Sequence, residues 1–123
     1  MAKGSKTVLV VDDDVDLLKM VEILLQGEGY RVVLAEEGQE ALSKIDEEMP
    51  DMILLDMKMP GMDGWEFARE FHARYDHAIP IVVFTAAEDA RKRAEEIGAV
   101  SWVGKPFDLD TLLEAVAKYS GAG

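Results

Sequence analysis

The sequence predicts an α/β fold: a doubly wound (βα)5 domain around one parallel sheet. Three observations carry that prediction. Apolar runs of strand length alternate five times with stretches of helical period along 123 residues. Three of the runs are apolar throughout, as strands covered by helices on both faces must be. Four of the runs end on polar residues that carry chemistry: Asp12-Asp13, Asp56, Thr85 and Lys105.

The elements follow in order. Residues 7–11 form the first strand. A helix over 14–28 turns Leu17, Leu18, Val21, Leu24 and Leu25 inward, and Gly27 and Gly29 end it. Residues 30–35 form a second strand, mixed in character because of Arg31. A helix over 38–48 presents Ala41, Leu42 and Ile45 on one face, and Met49-Pro50-Asp51 makes a turn. Residues 52–56 form a third strand, apolar until its last residue. The Pro and Gly of 57–64 make a loop, and Asp63 caps a helix over 65–75 with Trp65, Ala68, Phe71 and Tyr75 inward. Strand 81–84 and a helix over 88–97 around Ala90, Ala94 and Ile97 come next. Strand 100–104 and a helix over 109–119 finish the domain. Asp108 caps that last helix, and Leu109, Leu112, Leu113 and Val116 are its inward stripe.

Strand character sets the order. The first, third and fourth strands are wholly apolar and belong in the centre. Arg31 and Ser101 suit the second and fifth to the edges. Order 2-1-3-4-5, the flavodoxin-like arrangement, places them so, whereas 3-2-1-4-5 would bury the second strand. The four polar strand ends then line up along one carboxyl edge. The crevice between the first and third strands is the switch point where ligands bind in open α/β sheets.

Composition narrows the function. There is no cysteine, which excludes disulfides, thiolate metal sites and cysteine nucleophiles. Twenty-five acids against thirteen bases give a net charge of −12, which argues against direct nucleic-acid binding. No apolar stretch approaches the roughly 20 residues a membrane span needs. Residues 1–6 read as a flexible N-terminus without a signal-peptide core, so a cytoplasmic location is expected. Residues 120–123 read as a tail or linker stub.

At the sheet edge, three carboxylates meet a hydroxyl and an ammonium. Asp13 and Asp56, with Asp12 direct or through water, suit a hard cation such as Mg²⁺. A spare carboxylate beside a metal and a lysine can accept a phosphoryl group. The lysine and the Thr85 hydroxyl would steady its oxygens. Singly, each residue has an ordinary explanation. Acids at 12–14 can cap the helix that follows, and capping is the reading for Asp14. Asp56 alone could serve a turn, Thr85 a strand end and Lys105 a solvated loop. Together, at four aligned strand ends, they favour one common site.

Val-Leu-Val-Val-Asp-Asp-Asp at 8–14, Ile-Leu-Leu-Asp-Met-Lys-Met-Pro-Gly-Met-Asp-Gly at 53–64, Phe-Thr-Ala at 84–86 and Gly-Lys-Pro-Phe at 104–107 resemble the receiver domain of two-component response regulators. The resemblance covers about residues 6–119, with the domain itself at 7–119. It implies that Asp56 accepts a phosphoryl group from a phosphohistidine on a sensor histidine kinase or histidine phosphotransfer protein. It implies that Asp12, Asp13, Asp56 and the backbone carbonyl of Lys58 hold Mg²⁺. Thr85 and Lys105 would contact the phosphoryl group, and the Lys105-Pro106 bond would be cis.

The resemblance further implies a switch rather than an enzyme, with self-phosphorylation and self-dephosphorylation as its only chemistry. Thr85 would be drawn inward, an aromatic residue on the fifth strand would follow, and the helix 4, strand 5, helix 5 surface would change. That surface would control a downstream protein or a missing output domain, in a monomer or a phosphorylation-linked dimer. The aromatic position holds Trp102, where Tyr or Phe is usual, so Trp102 is read either as the switch or as a standing packing or partner contact. Lys58 is read as pointing to solvent, the ordinary fate of a loop lysine. The other reading puts its ammonium over the phosphoryl group, where it would impede the hydrolytic water. His72 and His77 read as separate surface residues.

Rival functions fit less well. A haloacid-dehalogenase-like phosphatase wants a second acid two residues after its nucleophile, and Lys58 stands there after Asp56; only Asp14 after Asp12 would qualify. A flavodoxin-like electron carrier wants a phosphate loop after the first strand, and none is present. The remaining alternative is a receiver-like interaction module that works without phosphorylation.

Overall fold

The computed structural model describes residues 6–121. Its elements are β1 (Thr7–Val11), α1 (Val15–Gly27), β2 (Arg31–Ala35), α2 (Gly38–Glu47), β3 (Met52–Leu55), α3 (Gly64–Tyr75), β4 (Ile81–Ala86), α4 (Ala87–Ile97), β5 (Ser101–Lys105) and α5 (Leu109–Tyr119). The strands pair in parallel in the order β2-β1-β3-β4-β5, as the strand character predicts. Every residue of β1 and β3 is buried, while Arg31 on β2 and Trp102 on β5 are exposed at the two edges. Of the predicted N-terminus, residues 1–5 lie outside the described residues, and so do 122–123 of the predicted tail. Lys6 precedes β1 but is already tied to the sheet, its carbonyl accepting from Arg31 N at 2.9 Å. Ser120 is buried and follows α5 as its C-cap.

The period-2 alternation of the strands splits the core in two. One layer joins Leu9, Val11, Ile53, Leu55 and Val83 to Phe67 and Phe71 of α3. The other joins Val8, Val10, Leu54 and Phe84 to Leu18 and Val21 of α1 and Leu112 and Val116 of α5. Phe67 and Phe71 are fully buried, each stabilising the fold by about 1.5–3 kcal/mol relative to an exposed ring.

The helix faces differ in detail from the sequence reading. On α3, Phe67 is buried with Ala68 and Phe71, and Trp65 and Tyr75 pack at the margin. A stripe drawn at 65, 68, 71 and 75 misses Phe67 because the helix is covered over a wider arc than one stripe. Leu17 and Leu24 on α1 and Leu113 on α5 are only half-buried, and Leu109 is exposed. Leu17, Leu24 and Leu109 wall the open groove described below. β4 runs through Thr85 to Ala86, and β5 is shifted one residue later than the apolar pattern indicates. Ladder pairing continues there beyond the last apolar side chain.

Caps fix where the helices begin. Asp14, Glu37, Asp63 and Asp108 each accept a backbone N–H from the first turn of α1, α2, α3 and α5. At α3 the Glu66 carboxylate answers back to Asp63 N and completes a capping box. The fourth helix opens on Ala86, whose methyl can accept nothing, and it ends at Gly98 with φ +68°.

Candidate functional site

Backbone pairing places the acids before any side chain is considered. Asp12 N donates to Ala35 O at 3.0 Å, and Asp56 N donates to Val11 O at 2.9 Å. Both residues therefore lie one step past their strands on adjacent ladders, and both are buried. Asp13 is exposed at the mouth. Carboxylate oxygens of Asp12, Asp13 and Asp56 lie within 4.8 Å of one another.

Asp12 is doubly held. Its Oδ1 accepts from Asp14 N at 2.9 Å, and its Oδ2 accepts from Lys105 Nζ at 2.6 Å. Lys105 comes from the last position of β5, with Nζ 3.7 Å from Asp56 Oδ1 and 5.1 Å above the Phe84 ring. The peptide bond from Lys105 to Pro106 is cis. Asp56 Oδ1 also accepts from Met57 N at 2.9 Å. Burial is the largest influence on the Asp56 carboxyl, and with the Asp12 charge it pushes the pKa up from 3.8 to about 6. Lys105 and the Met57 N–H pull it back in part.

Gly64 lets this edge form. Its N donates to Met57 O at 2.9 Å, and a Cβ built there would lie 2.7 Å from Met57 Cα and 2.8 Å from Asp56 O. Only a residue without a side chain lets α3 start this close beneath the loop that carries Asp56.

Thr85 is buried near the end of β4 and pairs in register with Gly104. A groove of about 770 Å³ opens over the site. Asp56, Lys58, Thr85 and Lys105 form its polar end, and Leu17, Met20 and Leu24 of α1 form an apolar wall facing Pro106 and Phe107. Asp14 caps α1, accepting from Leu17 N at 3.1 Å.

Two predicted residues stand apart. Trp102 is 44% exposed on β5, on the same face of the sheet as Gly104 and outside the cluster. Lys58 points to solvent, and its ammonium comes 3.8 Å from Asp89 of α4. Sequence reasoning missed Asp89. Its i, i+4 spacing to Arg93 was visible, but the approach of Lys58 needs the fold. His72 and His77 are not separate: their ring centroids are 4.1 Å apart, because the turn after α3 folds His77 back. Burial and the His77 charge lower the His72 pKa.

Residues 8–117 match the model of the response regulator receiver domain. The chain belongs to this family. It is 36% identical over 117 residues to sporulation initiation phosphotransferase F of Bacillus subtilis, covering 94% of both chains. It is 38% identical over 120 residues to the transcriptional regulatory protein ZraR of Salmonella typhimurium, of which it spans 27%. The receiver of sensor histidine kinase PA1611 from Pseudomonas aeruginosa, solved with a magnesium ion coordinated in its active-site cleft, superposes with a TM-score of 0.85. That pair is 28% identical, covering 96% of this chain and 99% of that one.

The protein is thus a receiver of the two-component class, a signalling module with the flavodoxin-like order. Its all-oxygen acid cluster fits a hard cation: three carboxylates converge, and the raised Asp56 pKa marks charge that a cation would relieve. Among the described residues, no helix is long and apolar enough to cross a membrane.

Proposed function

We propose that this receiver is a phosphorylation-operated switch whose acceptor is Asp56. The observation that carries the reading is the buried Asp56 carboxylate, faced by the Lys105 ammonium at 3.7 Å and by two further carboxylates that can share a cation. The donor is a phosphohistidine on a sensor kinase or histidine phosphotransfer protein. An Asp56 carboxylate oxygen forms a bond to phosphorus as the P–N bond breaks, and the bonding pair returns to the imidazole nitrogen. Lys105 offers its ammonium to the transferring oxygens, and the Thr85 hydroxyl donates to one of them. Asp12, Asp13, Asp56 and the Lys58 carbonyl would hold Mg²⁺, which supplies positive charge to offset the carboxylates and the phosphoryl oxygens. The apolar groove along α1 receives the donor segment and keeps water from the reacting atoms.

The output rests on the other side of β4. Thr85 moves toward the phosphoryl group, and Trp102, already turned outward, changes the surface of α4, β5 and α5 that a downstream protein or output domain reads. Incubation with a small phosphodonor and Mg²⁺, followed by intact mass measurement, tests the acceptor. Wild type gains one phosphoryl group and Asp56→Asn gains none. An adduct on both proteins, or on neither with any competent donor, would refute the reading.

A further inference from the structure

We infer that Asp89 is a positioning residue that sets the lifetime of the phosphoryl group by competing for Lys58. The inference rests on the acceptor reading of Asp56. Lys58 borders the polar end of the groove together with Asp56 and Thr85, yet its ammonium is drawn aside to Asp89 Oδ2 at 3.8 Å. Its side chain is 69% exposed, so the flexible stem is free to carry the charge either way.

Asp89 holds two cations. Arg93 approaches its other oxygen, Oδ1, also at 3.8 Å. Arg93 is itself anchored, donating to Glu96 at 2.9 Å and lying 5.3 Å over the Trp65 ring. Loss of Lys58 therefore leaves Asp89 with a partner and strands no charge. The Lys58–Asp89 contact is long, with Lys58 exposed and Asp89 half-buried at the surface, so it is weak, and a stronger anion nearby can displace it. Before phosphorylation Asp56 already shares Lys105 with Asp12 and offers Lys58 little. An aspartyl phosphate adds charge and acceptor oxygens, and it draws the ammonium across. Over the phosphorus, that ammonium obstructs the in-line approach of water. Asp89 pulls the other way and shortens the time the obstruction lasts.

The test is a four-protein cycle on the Asp56 adduct: wild type, Asp89→Asn, Lys58→Met and the double variant. Each is phosphorylated with a small donor, freed of the donor, and followed by intact mass. Asp89→Asn is expected to lengthen the adduct half-life about two- to five-fold, the range set by releasing one exposed ion pair. Lys58→Met shortens it, and Asp89→Asn then changes nothing in the Lys58→Met background. A purely structural role for Asp89, acting through Arg93 or α4, would move the half-life equally in both backgrounds and would overturn the inference. So would no change, or a shortening, in the wild-type background. Failure of wild type to form the adduct refutes the acceptor reading and this inference with it; an adduct with the wrong cycle refutes only this inference.

Discussion

The two halves of the sheet edge are built differently. At β1 and β3 the two strand-end carboxylates are backbone-fixed and buried, with Asp13 exposed at their mouth. Asp12 and Asp56 lie one residue past fully apolar strands, tied by ladder hydrogen bonds and crossed by Lys105. Beyond the buried Thr85, and beyond Lys105 which crosses to Asp12, the contacts around α4 and β5 lie at the surface: Lys58 of the β3–α3 loop against Asp89, Arg93 over Trp65 of α3, and Trp102 half in solvent. Among the described side chains of α4, only Ala90, Ala94 and Ile97 are buried, and the helix lacks the side-chain cap that the other four have. The rigid half suits chemistry that needs atoms in fixed places. The loose half suits a surface that must change at small cost, because weakly held segments are where local rearrangement occurs.

The sharpest way to break this contrast is to disturb the rigid half. Gly64→Ala puts a Cβ 2.7 Å from Met57 Cα and 2.8 Å from Asp56 O, backbone atoms that cannot swing aside as the Met57 sulfur beside them can. Denaturant unfolding should show a loss of about 3 kcal/mol, toward the upper end of overpacking costs. Stability unchanged to within experimental error would mean that the loop has slack and the contrast is wrong.

Next in size is the charge the rigid half tolerates. The Asp56 pKa is raised from 3.8 to about 6. Between those values the folded chain binds more protons than the unfolded chain, so stability falls as pH rises through the window, with the full penalty above it. Asp56→Asn carries no such penalty. In metal-free buffer it should exceed wild type above pH 6 by about 2 kcal/mol, which is about 3 kcal/mol for the full shift less solvent screening, and the advantage should vanish below pH 4. Added Mg²⁺ should stabilise wild type more than Asp56→Asn and narrow the gap. Parallel stability curves across that range would show that Asp56 is not strained by its burial.

The same contrast explains what could be read from residues alone. Strand order was legible because burial on both faces forces unbroken apolar runs, and only Arg31 and Ser101 interrupt them. The four strand-end sites were legible because parallel topology brings strand ends together whatever the side chains do. Phe67 was missed because a helix under a sheet buries a wide arc, and a single stripe misjudges its centre. Asp89, and the contact between His72 and His77, were illegible because they depend on how a loop and a helix approach in space. No periodicity encodes the meeting of an exposed lysine and a half-buried aspartate 31 positions apart.

The smallest effect tests the loose half directly. Ala86 occupies the N-cap position of α4 with extended-type angles, φ −53° and ψ 135°, and it is exposed. A serine hydroxyl there would sit where N-cap oxygens accept the N–H of the third helical residue, here Asp89. Nothing needs to be displaced, and the strand pairing of Ala86 with Lys105 uses only backbone. Ala86→Ser should therefore stabilise the protein by about 0.5–1 kcal/mol. Because the gain is local, amide exchange should slow across α4 and stay unchanged in α1, whose Asp14 cap is already in place. If α4 is loose for want of a cap, that selective protection must appear. Equal protection in both helices, or none, would mean that the looseness of α4 comes from its thin apolar face alone, and the cap difference between the two halves would lose its significance.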